Sequence, residues 1–314
     1  MMHKKTIALL LASSLSFSAY AGDSQQEKDF RIAASLGDIE TIMQMLDTGV
    51  DVNSPNKFGV TALMMAIQND NMEATALLLA RGADVNATGV AGCTALTWAA
   101  ENGHSALTAL LLERGADLNA KTRAGWDALA IASRYGLTDM VDQLLYKGSD
   151  PNGQDKELRT ALMHTAEKGH APTAELLIKN GADINMRDDH GATALIIAAD
   201  KGNADVVNVL IENGADVDGV DNDGATALIW AVGQDHYNTA ERLIFKGAEI
   251  NKADNDGVTA LMEAASVRSE DLVKLLLNHG ADITAKDSDG RTALDIAKKK
   301  RNKRVIALLS GGDN

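Results

Sequence analysis

The 314-residue sequence contains one cysteine, Cys93, so no disulfide can form within the chain. Stability must then come from packing, even though the first residues read as a route into an oxidising compartment where disulfides are common. Cys93 itself is read as a small packing residue. Basic charge is also scarce, with 30 Lys and Arg against 44 Asp and Glu and a net charge of −14. A surface of that sign repels phosphate backbones, which excludes nucleic acid as the expected partner. Beyond Ala21 no segment is apolar enough to span a bilayer, so stable membrane insertion is not expected. HExxH, GxSxG and phosphate-loop patterns are missing, and neither catalytic residues, metal ligands nor a cofactor site are expected. Aromatic residues make up 4% of the chain, which makes the three tryptophans conspicuous.

The front of the chain carries a recognisable signal. His3, Lys4 and Lys5 precede an apolar stretch from Ile7 to Ala19, and Ala19-Tyr20-Ala21 has the small-x-small form of a signal-peptidase site. The stretch is too short for a bilayer crossing, which takes roughly 20 residues. Residues 1–21 are therefore expected to be a cleaved export signal, with Gly22 as the first mature residue and the periplasm of a Gram-negative-type cell as the destination. Cleavage removes Lys4 and Lys5 and no acid, leaving 28 basic against 44 acidic residues.

What fills the rest of the chain is a repeat of constant period. Glycine recurs at one fixed interval, from Gly49 through Gly82, Gly115, Gly148, Gly181, Gly214 and Gly247 to Gly280. The last residue of a Thr-Ala-Leu-type triplet keeps the same beat from Leu63 through Leu96 and Leu195 to Leu294. Self-similarity at a fixed period marks a stacked array whose units cannot bury their apolar faces alone. A chain of this length would otherwise suggest about two domains; an array is one elongated body with a distributed core.

Residues 254–284 serve as the specimen. Asp254-Asn255-Asp256-Gly257 forms a turn, because Asp and Asn bond their own backbone and Gly accepts positive φ. Thr259 is placed to cap a short helix, and Leu261, Ala264 and Ala265 give that helix an apolar face at helical spacing. A second helix carries Leu272, Val273, Leu275, Leu276 and Leu277, and Gly280 supplies its left-handed terminus.

This unit closely resembles the ankyrin repeat. The family's pattern, D-x-x-G-x-T-P-L-H-x-A-A followed by L-L-x-x-G-A-D-V-N, is matched by stretches such as Asp189 to Ala199 with Gly214 to Asp218. The resemblance implies an all-α solenoid of about nine helix pairs joined by β-hairpin-like turns. A linker at 22–28 leads into an array at 29–310, with approximate repeats 29–55, 56–88, 89–121, 122–154, 155–187, 188–220, 221–253, 254–286 and 287–310. The family's Pro is Ala throughout, and its His is replaced by Met64, Thr97, Ala130, Met163, Ile196, Ile229, Met262 and Asp295. The His-mediated bonding between neighbouring turns should therefore be missing, and stacking should rest more on apolar contacts. His104, His170 and His236, two periods apart and just before second helices, fit a structural role.

Two features invite other chemistry and are better explained plainly. The Asp-rich turns at Asp221, Asp254 and Asp287 resemble calcium loops, but in that register the first ligand position falls on Gly219, Lys252 or Ala285 and not on Asp. The basic run Lys298, Lys299, Lys300, Arg301, Lys303 and Arg304 sits on the last repeat, which has no successor and needs a polar outer face. Thr292 and Asp295 form a capping pair at the start of its helix.

Ankyrin partners usually dock on the turn tips and first helices, which form a concave face. Mapped onto this sequence, that implies partner contacts at Trp98, Glu101, Trp126, Arg134, Tyr135, His164, Glu167, Lys201 and Trp230. The fourth unit stands out, with Asp127 in place of Thr, and its successor has Leu158 in place of the turn Gly. Aromatic residues and Arg dominate binding hot spots. The expected function is a non-enzymatic, monomeric, exported module that binds a protein. An inhibitor or immunity protein against a basic toxin would use the acidic surface. A role as accessory to a periplasmic oxidative-stress enzyme such as catalase is suggested by resemblance alone.

Overall fold

The computed structural model describes residues 24–311. Ala19, Ala21 and Gly22 of the expected cleavage site lie outside them. Among the described residues eighteen helices, from Gln25–Leu36 to Lys303–Leu309, follow one another in nine pairs, as the period predicts. Each first helix packs on its own second helix and on the first helices of neighbouring repeats, while second helices stack on second helices. No strand forms among the described residues; three isolated bridges, such as Ala253↔Thr259, close turns.

The triplet leucines form the spine of the core. Leu63, Leu96, Leu129, Leu162, Leu195, Leu228 and Leu261 are all buried, whereas Leu294 of the last repeat is only partly covered. Helix starts follow the caps in the sequence. Thr61, Thr94, Thr160, Thr193, Thr226 and Thr292 each accept the N–H of the third helical residue, and Asp127 does the same for Ala130 at 2.8 Å. Thr259 corrects the expectation. Its hydroxyl is buried without a partner, and the Met262 N–H bonds the Thr259 carbonyl in a tight first turn.

The turns explain one glycine position. Gly125 has φ +89°, and a Cβ there would lie 2.8 Å from the backbone N of Lys156 in the next repeat. Turn tips are that close because they bond each other: Lys156 N–H to Ala124 O, Asp189 N–H to Glu157 O, Asn222 N–H to His190 O and Asn255 N–H to Asp223 O. Leu158 occupies the equivalent position at φ +59°, where a non-glycine residue is strained.

Polar ties between repeats are not missing but moved. Before the second helices, the His170 ring faces Arg134 O at 3.1 Å and the His236 ring faces Asp200 O at 3.0 Å, each one repeat back. Asn71 and Asn203 donate across the same junction. After the second helices, Asn53, Asn86, Asn152 and Asn251 each donate to a glycine carbonyl and accept a backbone N–H of the next repeat. The loss of the family's His therefore does not leave apolar contacts alone in charge of stacking.

The N-terminal end differs from the expected boundary, and the C-terminal end follows it. The first helix begins at Gln25 because Ser24 and Glu27 form a reciprocal capping box, so residues 25–28 are helix and not linker. At the other end Thr292 and Asp295 form the same device, and Lys298, Lys299 and Lys300 are exposed in the last turn of that helix. Among the described residues no helix is long and apolar enough to cross a membrane.

Candidate functional site

One face of the array is built from the turn tips and the first helices. A row of turn aspartates defines its floor. In Asp155, Asp188, Asp221, Asp254 and Asp287, Oδ1 accepts the backbone N–H groups two and four residues on, which folds the turn. Oδ2 is left for a further partner, and the residue available there differs by repeat. The His164 ring N–H meets Asp155 at 2.9 Å, and the Trp230 indole N–H donates to Asp221 at 2.7 Å. Arg291 donates to Asp287 at 2.8 Å, and Arg159 Nε lies 3.6 Å from Asp188 Oδ2. Asp254 differs, because Val258 and Glu263 stand where other repeats carry Arg or a ring N–H. Burial first, and the Asp254 charge second, push the Glu263 carboxyl above its ordinary range, with Lys300 opposing.

The fourth and fifth repeats hold a connected cluster. Trp126 lies between the His164 ring, 4.6 Å between centroids, and the Arg134 guanidinium, 5.1 Å from its ring centre. Arg134 and Arg159 both reach Glu167 Oε2, at 3.4 and 3.2 Å, and Lys168 takes Oε1 at 2.8 Å. Burial works to raise the Glu167 carboxyl, but Lys168, Arg134 and Arg159 outweigh it and hold the pKa below the usual range. Tyr135, 47% exposed, donates to Glu101 Oε1 at 3.0 Å, and that bond raises its hydroxyl pKa. These groups hold side chains rigidly at the surface; they do not assemble a nucleophile with a base.

The structure thus brings Trp126, Arg134, Tyr135, Glu101 and Glu167 together. Trp98 and Trp230 lie apart from them on the same helical row, each half-buried against the core. Lys201 is exposed and pairs with Asp200 at 2.8 Å. His164 is not accessible to a partner. At 1% exposure it is enclosed by Trp126 and bonded to Asp155, and burial lowers its pKa against the pull of Asp155. Sequence reasoning found the turn aspartates but missed Arg159 and the partners of their Oδ2 atoms. The available signal was Arg159 and Arg291, in a register where the other repeats carry Val, Cys, Trp or Ala. Among the described residues no group of three His, Cys, Asp or Glu side chains is placed to hold a metal.

A family model described as ankyrin repeats, in three copies, matches residues 30–122, 128–221, 186–254 and 228–314. A search of curated proteins finds no match.

Proposed function

Since the chain belongs to the ankyrin-repeat family, whose repeats are protein–protein interaction modules, we propose that it is an exported, non-enzymatic protein that holds a protein partner on its turn-and-first-helix face. The observation that carries this reading is the central cluster. Tyr135 is held exposed by Glu101, next to Arg134, whose guanidinium lies over Trp126, in a register where most other repeats carry Asn, Gln or Lys. Large rigid aromatics beside a planar guanidinium are the residue types on which binding energy concentrates. Their fixed geometry lowers the ordering cost of association.

Export is inferred from the basic start, the short apolar stretch and Ala19-Tyr20-Ala21. The mature protein should begin at Gly22 and reside in the periplasm. The excess of acidic side chains also favours a second reading, an inhibitor of a basic exported protein, because charge of opposite sign speeds encounter.

Recovery of the partner by crosslinking in intact cells tests the reading. Tyr135→Ala should keep its melting behaviour, since an exposed side chain contributes little to folding, yet recover at least tenfold less partner, as expected of a hot spot. Full recovery with Tyr135→Ala would reject this face as the interface.

A further inference from the structure

The binding face is chemically divided along its length. The first-helix row that continues Trp98 toward the N-terminus consists of Met65 and Ile32, the latter 51% exposed. Two tips beside that row carry Phe58 at 58% and Val90 at 59% exposure. Large exposed apolar groups gathered on one stretch of a face mark a surface that another molecule covers. In the sixth to ninth repeats the tips carry Asp189, Asp223, Asp256 and Asp289 instead, all exposed. Charge follows the same division. Residues 24–187 hold 21 acidic and 14 basic side chains, whereas residues 188–289 hold 20 acidic and only 7 basic.

Within the acidic half one position lacks its usual counterpart. The Oδ2 atoms of Asp155, Asp188, Asp221 and Asp287 each face a ring N–H or a guanidinium. Among the described residues no donor reaches Asp254 Oδ2. Glu263 stands beside it in the register of His164 and Trp230, and Gly233, one repeat back, leaves the space next to Glu263 without a side chain.

We infer that the partner engages this face through one extended segment, apolar at the end lying over the first to third repeats and cationic at the end lying over the seventh and eighth. A Lys ammonium or Arg guanidinium of that segment seats between Asp254 and Glu263. It supplies there the hydrogen-bond donor that neighbouring turns find within the chain, while apolar side chains cover Phe58, Val90 and Trp98. Trp98 and Glu263 are five repeats apart; with helices stacking at roughly 9 Å this is about 45 Å, or about 14 residues of extended chain. The inference rests on the proposed binding function and adds the chemistry of what is bound.

Synthetic peptides test it on the whole protein by isothermal titration. One peptide joins a Trp/Leu/Ile block to a Lys/Arg block through a Gly/Ser spacer of matching length; the others are the two blocks alone. The joined peptide should bind at least tenfold tighter than either block. An Asp254→Asn, Glu263→Gln variant keeps the Oδ1 acceptor that folds its turn. It should lose at least tenfold affinity for the joined peptide, together with most of the salt dependence. A Phe58→Ser, Val90→Ser variant should lose a similar factor with its salt dependence unchanged. Melting curves that match the parent confirm that each variant is folded. A joined peptide that binds no tighter than the basic block overturns the inference, as does full affinity in the Asp254→Asn, Glu263→Gln variant. If the peptides fail while Tyr135→Ala still loses the cellular partner, this inference falls and the binding function stands; if Tyr135→Ala also keeps the partner, both fall.

Discussion

Replacing Asp155 with Ala gives the sharpest test of what the turn aspartates do. The side chain is 1% exposed and makes three bonds: Oδ1 accepts the N–H groups of Glu157 and Arg159 at 2.9 Å each, and Oδ2 pairs with His164 at 2.9 Å. Alanine removes all three. The two backbone N–H groups sit in a turn that water can partly reach, so each loss should cost about 1 kcal/mol. His164 is left buried with both ring nitrogens unsatisfied, since Nδ1 has no partner to begin with, and such a buried orphan costs about 1–3 kcal/mol. Allowing for partial relaxation of the turn, the total should be about 2–4 kcal/mol. Asp155→Asn should cost only about 1 kcal/mol, because its oxygen can keep the two turn bonds and the neutral imidazole can present Nε2 as an acceptor. Urea unfolding of the three proteins measures this at equilibrium, with midpoints shifting and slopes unchanged. A loss below about 1 kcal/mol for Asp155→Ala would show that these aspartates do not organise the turns and would reopen a ligand-binding role for them.

Other expectations follow from the same structure. Leu195→Ala, in the central spine, should cost about 2–5 kcal/mol in the same assay, whereas neutralising exposed Lys299 and Lys300 together should change stability by no more than about 0.5 kcal/mol. Leu158→Gly should hold or raise the melting temperature by relieving positive φ, while Leu158→Ala, which keeps the strain, should bring no gain. Because the fold raises the Glu263 pKa, the protonated form stabilises the protein at low pH, and that stabilisation is lost as pH rises through the elevated value. Glu263→Gln should therefore raise the melting temperature near neutral pH, by a margin that shrinks as the medium is acidified. N-terminal sequencing of periplasmic material should read from Gly22; an intact Met1 on cytoplasmic protein would refute export.

The backbone architecture was legible because the repeat reports the same constraints many times. A triplet leucine that recurs at every period can only be a core position, and it is buried from Leu63 to Leu261. The cap positions were legible for the same reason, but Asp127, which stood out in sequence as a departure from Thr, makes the same capping bond. Side-chain pairing across the groove was not. Whether His164 faces solvent depends on Asp155 earlier in its own repeat and on Trp126 in the preceding one, and no periodicity encodes that pairing. The same holds for Arg134 and Arg159, which meet on Glu167 from two different repeats. Thr259 looked like its six counterparts in sequence, yet its hydroxyl is unused because the backbone turn closes on itself there.

The central claim is that the partner lies against the turn-and-first-helix face. A photo-crosslinking amino acid placed at Tyr135 on that face, or at Tyr146, 86% exposed at the end of a second helix, compares the two sides in intact cells. The account predicts a discrete crosslinked species from position 135 and none from position 146. The reverse pattern, with the partner captured from position 146 alone, would contradict it.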